Sequence, residues 1–488
     1  MVDIHDKTAG SGLGRRGLLA AGASFLASAL LSGVVSPAMA DGRKPPNIIY
    51  IMADDLGWKD VGFHGSDIET PVLDRLARGG AQFDEFYAQP MCTPSRAAFL
   101  TGRYPLRYGL QSGVIPSAGG YGLATDEYLL PQLLKDNGYE TALVGKWHLG
   151  HGKTEYWPKQ RGFDHFYGAL VGEIDHFKHA SHGVKDWYRN NKPLVEQGYD
   201  NTLFGNEAAR LIRDSKDGKP LFLYLAFTAP HSPFQAPEHY VKRYAHIADE
   251  QRRLYAAMVT AMDDAVDHVL KALDEKGLRE DTVIVFQSDN GGVRSAMFAG
   301  ESKVGDNLPA DNGPYREGKG TLYEGGTRVV GFMNWPGHIT PGVVQGLSHV
   351  VDMYPTLAAI AGAKLEKNKP LDGMNLWPAI SQGTKTPRDE VVYNIDPMGG
   401  AIREGDMKLV WQAGLPGKVE LFDIARDPGE TVNLAAQKPE LVKTLQERIV
   451  ALSREMAPPL LVMEAIRLTF GAPPVAADPT TMFNELGD

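Results

Sequence analysis

Asn47-Ile48-Ile49-Tyr50-Ile51-Met52 is the run of residues that decides the fold class. A continuous apolar run of this length is typical of a strand that is buried on both faces of a parallel sheet. It ends in Ala53-Asp54-Asp55, and two adjacent carboxylates repel each other unless a cation lies between them. Because ligands bind at the carboxyl ends of parallel strands, the pair predicts a metal or ligand site. Two solvated turn residues are the alternative interpretation.

The same arrangement recurs three times along the chain. Apolar runs at 139–144, 220–227 and 282–287 predict further buried strands, and polar residues follow each run. These are Lys146 and His148, then His231, then Asp289 and Asn290. A surface lysine and a structural histidine are the alternatives at the first two positions.

Amphipathic patterns between these strands predict helices at 70–79, 128–137, 201–214, 249–276 and 350–361. Alternating strands and helices predict an α/β sandwich with a mostly parallel central sheet. Residues 151–200 are irregular and rich in aromatic residues and histidine, as pocket loops and plain structural loops both are. Those side chains are His165, Tyr167, His176, His179, His182, Trp187 and Tyr188.

The pattern of apolar and turn-forming residues changes after about residue 370. Short apolar runs at 390–395, 407–412 and 419–423, joined by Gly and Pro turns, predict a small antiparallel sheet with a helix at 439–456 packed on it. We therefore predict a main domain at 41–380, a small α+β subdomain at 381–456 and a Pro-rich tail at 457–488. The tail wraps either the main domain or a second subunit.

The N-terminal residues 1–40 predict an export signal. Arg15-Arg16 precede an apolar, small-residue run from Gly17 to Val35, and Ala38-Met39-Ala40 is typical of a cleavage site. Paired arginines favour the twin-arginine route, which exports folded proteins. A membrane anchor is the alternative, although the run is barely long enough to span a bilayer. The mature protein is expected to be periplasmic or secreted, without a stable membrane anchor.

Composition narrows the class of partner. The chain has 488 residues, 43% of them apolar and 23% charged, which is ordinary for a globular protein. Its formal net charge of -10 argues against nucleic acid, since phosphate binding needs a basic face. An acidic protein that acts on anions must therefore concentrate its cations locally.

Cys92-Thr93-Pro94-Ser95-Arg96 contains the only cysteine of the chain, which excludes an intramolecular disulfide. A buried, inert thiol is the ordinary interpretation. Here, however, the residues that follow predict a helix, and a reactive group at a helix N-terminus beside a guanidinium is well placed to meet an anion. A second cation, Lys319, lies in the glycine-rich loop 318–326.

Oxygen donors dominate the predicted metal site. Asp54, Asp55, Asp289 and Asn290 offer carboxylate and amide oxygens, and no paired-cysteine or mixed Cys/His cluster accompanies them. Hard oxygen ligands with three carboxylates favour Ca²⁺, with Mg²⁺ second. The nucleophile and the substrate would fill the remaining positions.

The Cys92 run resembles the signature of the formylglycine-dependent sulfatases. The metal residues, the lysines and the histidines match that family in order and local context over roughly residues 46–450. Residues 54–109, with 145–150 and 162–164, are most similar to its arylsulfatase B (N-acetylgalactosamine-4-sulfatase) branch. Departures lie in the loops 174–200 and 294–315 and in the tail. The resemblance implies an alkaline-phosphatase-like sandwich and a sulfuric ester hydrolase.

The resemblance also implies a mechanism. A formylglycine-generating enzyme converts Cys92 to formylglycine (3-oxoalanine), whose hydrate attacks sulfur to form a covalent sulfo-enzyme. His231 protonates the leaving oxygen, and His148 takes the proton of the remaining hydroxyl so that sulfate is expelled. The implied catalytic set is Cys92, Arg96, Lys146, His148, His231 and Lys319, and one Ca²⁺ is held by Asp54, Asp55, Cys92, Asp289 and Asn290.

Two other functions remain open at this point. Related metalloenzymes of the same fold hydrolyse phosphate or phosphonate esters, although one metal site with two lysines suits a monoanionic sulfate better than a two-metal phosphatase. A sulfated-glycan binding protein without catalysis is the remote alternative, and it predicts an unmodified thiol at residue 92.

Overall fold

The computed structural model describes residues 44–298 and 308–470. The predicted export signal, residues 299–307 of the loop 294–315 and the last eighteen positions, 471–488, lie outside the described residues. Its strands are β1 (Asn47–Ala53), β2 (Ala81–Tyr87), β3 (Glu140–Gly145), β4 (His165–Gly168), β5 (Ala180–Ser181), β6 (Val184–Lys185), β7 (Tyr188–Arg189), β8 (Lys192–Pro193), β9 (Leu221–Ala226), β10 (Thr282–Ser288), β11 (Gly331–Asn334), β12 (Gly342–His349), β13 (Glu390–Asp396), β14 (Gly399–Glu404), β15 (Met407–Gln412) and β16 (Lys418–Asp423).

The helices lie between these strands and at the end of the described chain. They are α1 (Pro71–Arg78), α2 (Cys92–Thr101), α3 (Leu130–Asp136), α4 (Asp200–Arg213), α5 (Glu238–Arg243), α6 (Glu250–Glu275), α7 (Glu324–Thr327), α8 (Met353–Ala361), α9 (Trp377–Gln382), α10 (Pro439–Ser453) and α11 (Leu460–Thr469). Within the ranges that the structure describes, no helix is both long and apolar enough to cross a bilayer.

A ten-stranded sheet forms the centre of the molecule, in the order β12-β2-β11-β10-β1-β9-β3-β4-β7-β8. Its five central strands, from β10 to β4, are all parallel to one another. The prediction of a large, mostly parallel sheet is confirmed. Strands β11 and β7 run antiparallel to β10 and β4, and β8 pairs antiparallel with β7. A strand at 329–333 is predicted near β11, whereas the two-residue strands β7 and β8 gave no strand signal.

Strand β1 explains why the sheet is covered on both faces. Its side chains alternate, so Ile48, Tyr50 and Met52 join one apolar cluster and Ile49 and Ile51 join another. Helices α2, α3 and α8 cover the first face, and α1, α4 and α6 cover the second. All carboxyl ends of the parallel strands consequently meet at one edge of a three-layer sandwich.

The C-terminal part is a four-stranded antiparallel sheet, β13-β14-β15-β16, with α10 packed on it through Leu445 and Ile449. Strand β14 was not predicted, because its Gly399-Gly400 start reads as a turn. The boundaries proposed for the domains stay predictions.

A buried ion cluster joins this small sheet to the main domain. The Nζ of Lys408 lies 2.9 Å from Glu324 Oε1 and 2.8 Å from Glu430 Oε1, with all three side chains fully buried. The ammonium also lies 4.1 Å from the centroid of the Tyr393 ring. Glu324 begins α7, directly after the loop that carries Lys319. The cluster therefore fixes that loop against the C-terminal sheet.

The first part of the tail lies on the main domain. The backbone N–H of Ala457 donates to Leu106 O at 2.8 Å, and that of Leu460 donates to Gly109 O at 2.8 Å. Gly120 N donates to the Glu464 carboxylate of α11 at 3.1 Å. Of the two placements predicted for the tail, residues 457–470 adopt the first.

Gly145 ends β3 immediately before Lys146, where two strands approach closely. Its φ is +114°, and a Cβ atom there would lie 1.8 Å from the carbonyl oxygen of Ala226 in β9. Since that obstacle is backbone, only glycine fits without moving the strand that carries Lys146.

Gly145→Ala should therefore lower the free energy of unfolding by about 2–5 kcal/mol, from overpacking together with backbone strain. It should also reduce activity through displacement of Lys146. Gly342→Ala is the matched control, because its Cβ would meet no atom within 4 Å. Denaturant unfolding of both variants provides the measurement, and equal stabilities would contradict this account of the strand end.

Candidate active site

The structure brings every predicted site residue to the same edge of the central sheet. They come from the turns after β1, β3, β9 and β10, from the first turns of α2, and from the loop before α7. All are buried, none more than 8% exposed. The set comprises Asp54, Asp55, Cys92, Arg96, Lys146, His148, His231, Asp289, Asn290 and Lys319.

Asp54 is surrounded by cationic and polar groups. Its Oδ2 accepts a hydrogen bond from Lys146 Nζ at 2.5 Å, and its Oδ1 lies 3.5 Å from Arg96 Nη2 and 3.3 Å from Cys92 Sγ. Burial alone would raise the pKa of this carboxyl, but Lys146, His231 and the other cations hold it well below its usual range. Asp54 is therefore an anion at neutral pH.

Asp55 is bonded to a different set of partners from Asp54. Its Oδ2 accepts from Lys319 Nζ at 2.7 Å and lies 3.6 Å from His231 Nε2, while its Oδ1 accepts from Asn290 Nδ2 at 2.7 Å. Its φ of +65° turns the backbone so that neighbouring carboxylates point to different partners. Repulsion between Asp54 and Asp55 is thus offset by two separate lysines.

Arg96 makes the best-formed ion pair of the site. Its Nε and Nη2 donate to Asp289 Oδ2 at 3.0 and 2.8 Å, and its Nη1 donates to Lys146 O at 3.3 Å. Burial and the nearby Asp54 nevertheless raise the pKa of Asp289 to about 7, more than Arg96 and Lys146 lower it. The positive charge around Asp289 is therefore too small to keep the pKa of its carboxyl low.

A divalent cation fits this donor set. Asn290 Nδ2 donates to Asp55 and to Gly291 O, which leaves Asn290 Oδ1 buried and without a hydrogen-bond partner among the described residues. Donor atoms of Asp54, Asp55, Cys92 and His231 also lie within 4.8 Å of one another. An orphaned acceptor beside an undercompensated carboxylate is what an oxygen-ligated cation requires.

Cys92 is the first residue of α2 and is 1% exposed. Burial, followed by the charges of Asp289 and Asp54, raises the pKa of its thiol well above the ordinary value. An unmodified thiol here is protonated at neutral pH and is a poor nucleophile. The position therefore fits a residue that acquires its reactivity by modification.

His148 has one ring nitrogen without a partner. Its Nε2 lies 3.1 Å from the carbonyl oxygen of Ile115, so Nε2 carries the proton and Nδ1 is left as an acceptor. No group in the described part of the chain hydrogen-bonds that buried Nδ1. Burial, and then Lys146 and Arg96, hold the pKa of His148 well below its usual value, so the ring is a neutral base.

His231 faces the pocket from the turn after β9. Its Nδ1 donates to Ser232 O at 2.6 Å, which directs Nε2 toward Asp55 Oδ2. Burial and the charge of Lys319 lower its pKa. Behind the ring, His176 contacts the backbone oxygen of His231, and Asp200 contacts His176. The sequence placed His176 only among the side chains of the irregular loop 151–200 and did not single out Asp200, since neither directly follows a predicted strand or lies in a recognisable motif.

These features define a hydrolase with an anion-binding, metal-assisted site at the edge of an α/β sandwich. A family profile described as Sulfatase matches residues 46–363. Among curated proteins, arylsulfatase J of Mus musculus is 35% identical over 475 residues, covering 86% of this chain and 77% of the relative. The N-acetylgalactosamine-6-sulfatase of Homo sapiens is 35% identical over 380 residues, covering 73% and 70%.

Among solved structures, Ps i-CgsB in complex with k-i-k-neocarrahexaose has a TM-score of 0.78 at 33% identity, and covers 90% of this chain and 100% of that one. The chain belongs to the sulfatase family and is a sulfuric ester hydrolase. Members of this family use Ca²⁺ and a formylglycine made from cysteine. The resemblance to the family is confirmed, whereas the 4-sulfatase branch stays a prediction.

Calcium should stabilise the folded protein through this site. At a hundredfold excess over its dissociation constant, the ion should add about 2.7 kcal/mol to the free energy of unfolding. Asp55→Asn should abolish most of that gain, while Asp67→Asn, at a half-exposed carboxylate with a different partner, should retain it. Unfolding with Ca²⁺ and with chelator is the measurement; an unchanged calcium effect in Asp55→Asn would place the ion elsewhere.

Proposed function

We propose that this sulfatase removes sulfate from sugar or aryl sulfate esters with Cys92, Arg96, Lys146, His148, His231 and Lys319 as its catalytic residues. The observation that carries this assignment is the orphaned Nδ1 of the buried, neutral His148 beside the Cys92 pocket. His148 has a free ring nitrogen that can act as a base. His231 faces the same pocket and can act as the acid, so the two histidines can serve one acid–base reaction.

The metal set proposed for one Ca²⁺ is Asp54, Asp55, Cys92, Asp289 and Asn290. When present, formylglycine at residue 92 supplies a hydrated aldehyde as nucleophile with a second hydroxyl for sulfate release, and Ca²⁺ supplies positive charge toward substrate oxygens. The aldehyde is required because a serine or thiol has no second hydroxyl to expel the sulfate.

Lys146 and Lys319 hold the anionic ester group. Each ammonium has three protons and gives one to a carboxylate, at Asp54 or at Asp55, so both keep donors for sulfate oxygens. Both side chains are at most 5% exposed, where such interactions are stronger than in water. Arg96 keeps Asp289 oriented by donating two hydrogen bonds to its Oδ2.

The two histidines have opposite duties. His148 accepts a proton at Nδ1 from the nucleophilic residue after transfer, since its Nε2 is occupied by Ile115 O. His231 in its protonated form donates from Nε2 to the leaving oxygen, since its Nδ1 is occupied by Ser232 O. Fixed tautomers make each role specific to one ring atom.

A sulfated sugar is the proposed natural substrate. Support comes from the similar solved structure that holds a neocarrahexaose and from the relative named N-acetylgalactosamine-6-sulfatase. Phosphonate or phosphate ester hydrolysis is the alternative, and a non-catalytic sulfated-glycan binder the remote one. One proposed metal site with the two lysines Lys146 and Lys319 suits a monoanionic sulfate better than a two-metal phosphatase.

Export and maturation complete the proposal. The residues before Asp41 act as a twin-arginine signal cleaved near Ala40, and the product is periplasmic or secreted without a stable membrane anchor. A formylglycine-generating enzyme acts on Cys92 before the chain folds, since the folded thiol is 1% exposed. Nucleic acid is not a partner of this acidic protein.

Comparison of ester classes tests the proposed chemistry. Protein whose residue 92 is shown by mass spectrometry to be formylglycine should hydrolyse aryl and sugar sulfates faster than the matching phosphate and phosphonate monoesters. Cys92→Ala should bind but not turn over. Faster phosphonate turnover would favour the alternative enzyme, and an active preparation with only intact thiol would refute the role of residue 92.

The role of His231 is tested by the leaving group. His231→Ala should lower kcat for a sugar sulfate by about 10²–10⁴-fold, because an alkoxide leaves poorly without a proton. It should affect 4-nitrophenyl sulfate much less, since nitrophenolate leaves unprotonated. His246→Ala, at an exposed histidine of the segment after α5, is the control. Equal losses on both esters would exclude proton donation by His231.

A further inference from the structure

A buried ion pair lies behind His231 and has no part in the chemistry assigned so far. His176 Nδ1 is 2.8 Å from Asp200 Oδ2, and His176 Nε2 is 3.0 Å from the backbone oxygen of His231. The two side chains of the pair are 1% and 0% exposed. One comes from the loop after β4 and the other begins α4.

Hydrogen bonding fixes the charge state of this pair. Asp200 Oδ1 accepts from the backbone and side-chain nitrogens of Asn201 at 2.7 and 2.6 Å, and Oδ2 accepts from Thr228 Oγ1 at 2.6 Å. Asp200 acts as a hydrogen-bond acceptor toward each of these groups. Both partners of the His176 ring, Asp200 and the His231 carbonyl, are then acceptors, so both ring nitrogens carry protons.

The same pair, with the adjacent Asn201, restrains the turn before His231 and at His231 itself. Thr228 is held through Asp200, and Ala229 N donates to Asn201 Oδ1 at 3.2 Å. His176 holds the carbonyl of His231 itself. A buried ion pair contributes little net stability after desolvation, so net stability alone does not account for the pair.

We propose that His176 and Asp200 are positioning residues that hold the His231 backbone so that its Nε2 reaches the leaving oxygen of the ester. Without the pair, the turn after β9 keeps the hydrogen bond between His231 and Ser232 but loses the one between His176 and the His231 carbonyl. Displacement of a proton donor by about 1 Å costs on the order of 10²-fold in rate. The inference rests on the proposed role of His231 as proton donor.

Leaving-group dependence distinguishes positioning from a general structural role. His176→Gln and Asp200→Asn should each lower kcat for a sugar sulfate by about 10- to 100-fold, and kcat for 4-nitrophenyl sulfate by less than about threefold. KM should change little, since neither residue lies among the groups that hold the sulfate. An equal loss on both esters, or no loss on the sugar ester, overturns the proposal.

His179→Asn is the matched control. His179 is 1% exposed in the same loop, stacks on Trp187 and contacts Gly198 O rather than His231. Its φ of +53° is tolerated by asparagine. This variant should show no leaving-group dependence, and a dependence as large as that of His176→Gln would overturn the proposal by showing that any disturbance of the loop suffices.

His231→Ala separates the two levels of inference. If it shows leaving-group dependence and the His176 and Asp200 variants do not, the positioning role fails while the proposed function stands. If His231→Ala itself shows none, the proposed function fails at that residue and the positioning role falls with it. Should both pair variants fail to fold, Thr228→Val, which removes one donor to Asp200, should show a smaller loss confined to the sugar ester.

Discussion

Mutual compensation of buried charges is the constraint on which the site depends. Three carboxylates, Asp54, Asp55 and Asp289, are each bonded to a different cation, Lys146, Lys319 and Arg96 respectively. Removing any one cation would leave an uncompensated charge in a region of low dielectric, which is far costlier than losing a surface pair. The arrangement positions the oxygen donors and leaves Asn290 Oδ1, which has no hydrogen-bond partner among the described residues, for a further cation.

The parallel sheet brings these charged side chains together although they lie far apart in the sequence. Asp55 and Lys319 are 264 positions apart, yet both lie at the carboxyl edge of one sheet. Because β10, β1, β9 and β3 are adjacent and parallel, the turns that follow them are forced into contact whatever their separation in sequence. The C-terminal sheet adds the last cation indirectly, by fixing the loop before α7.

Sequence patterns predicted the parts of the molecule that are governed by simple rules. The run from Asn47 to Met52 could be assigned because continuous apolar strands are buried on both faces, and Asp54 and Asp55 because paired acids at a strand end need a partner. Strand β14 could not, since its glycines read as a turn and only pairing with β13 and β15 makes it a strand. His176 was named only as one of the residues of the irregular loop, and Asp200 was not named, because their contact with each other and that of His176 with a backbone carbonyl leave no trace in residue type or spacing.

The cluster of Glu324, Lys408 and Glu430 has a consequence for how this enzyme can be divided or recombined. The C-terminal sheet supplies the lysine of that cluster, and so fixes the start of α7 and the loop before it that carries Lys319. Chimeras that exchange the last hundred or so residues between relatives must therefore carry the α7 loop along with them, and a shortened catalytic fragment is expected to be inert even where it stays soluble. The two parts of the chain are therefore coupled through one buried ammonium group, that of Lys408.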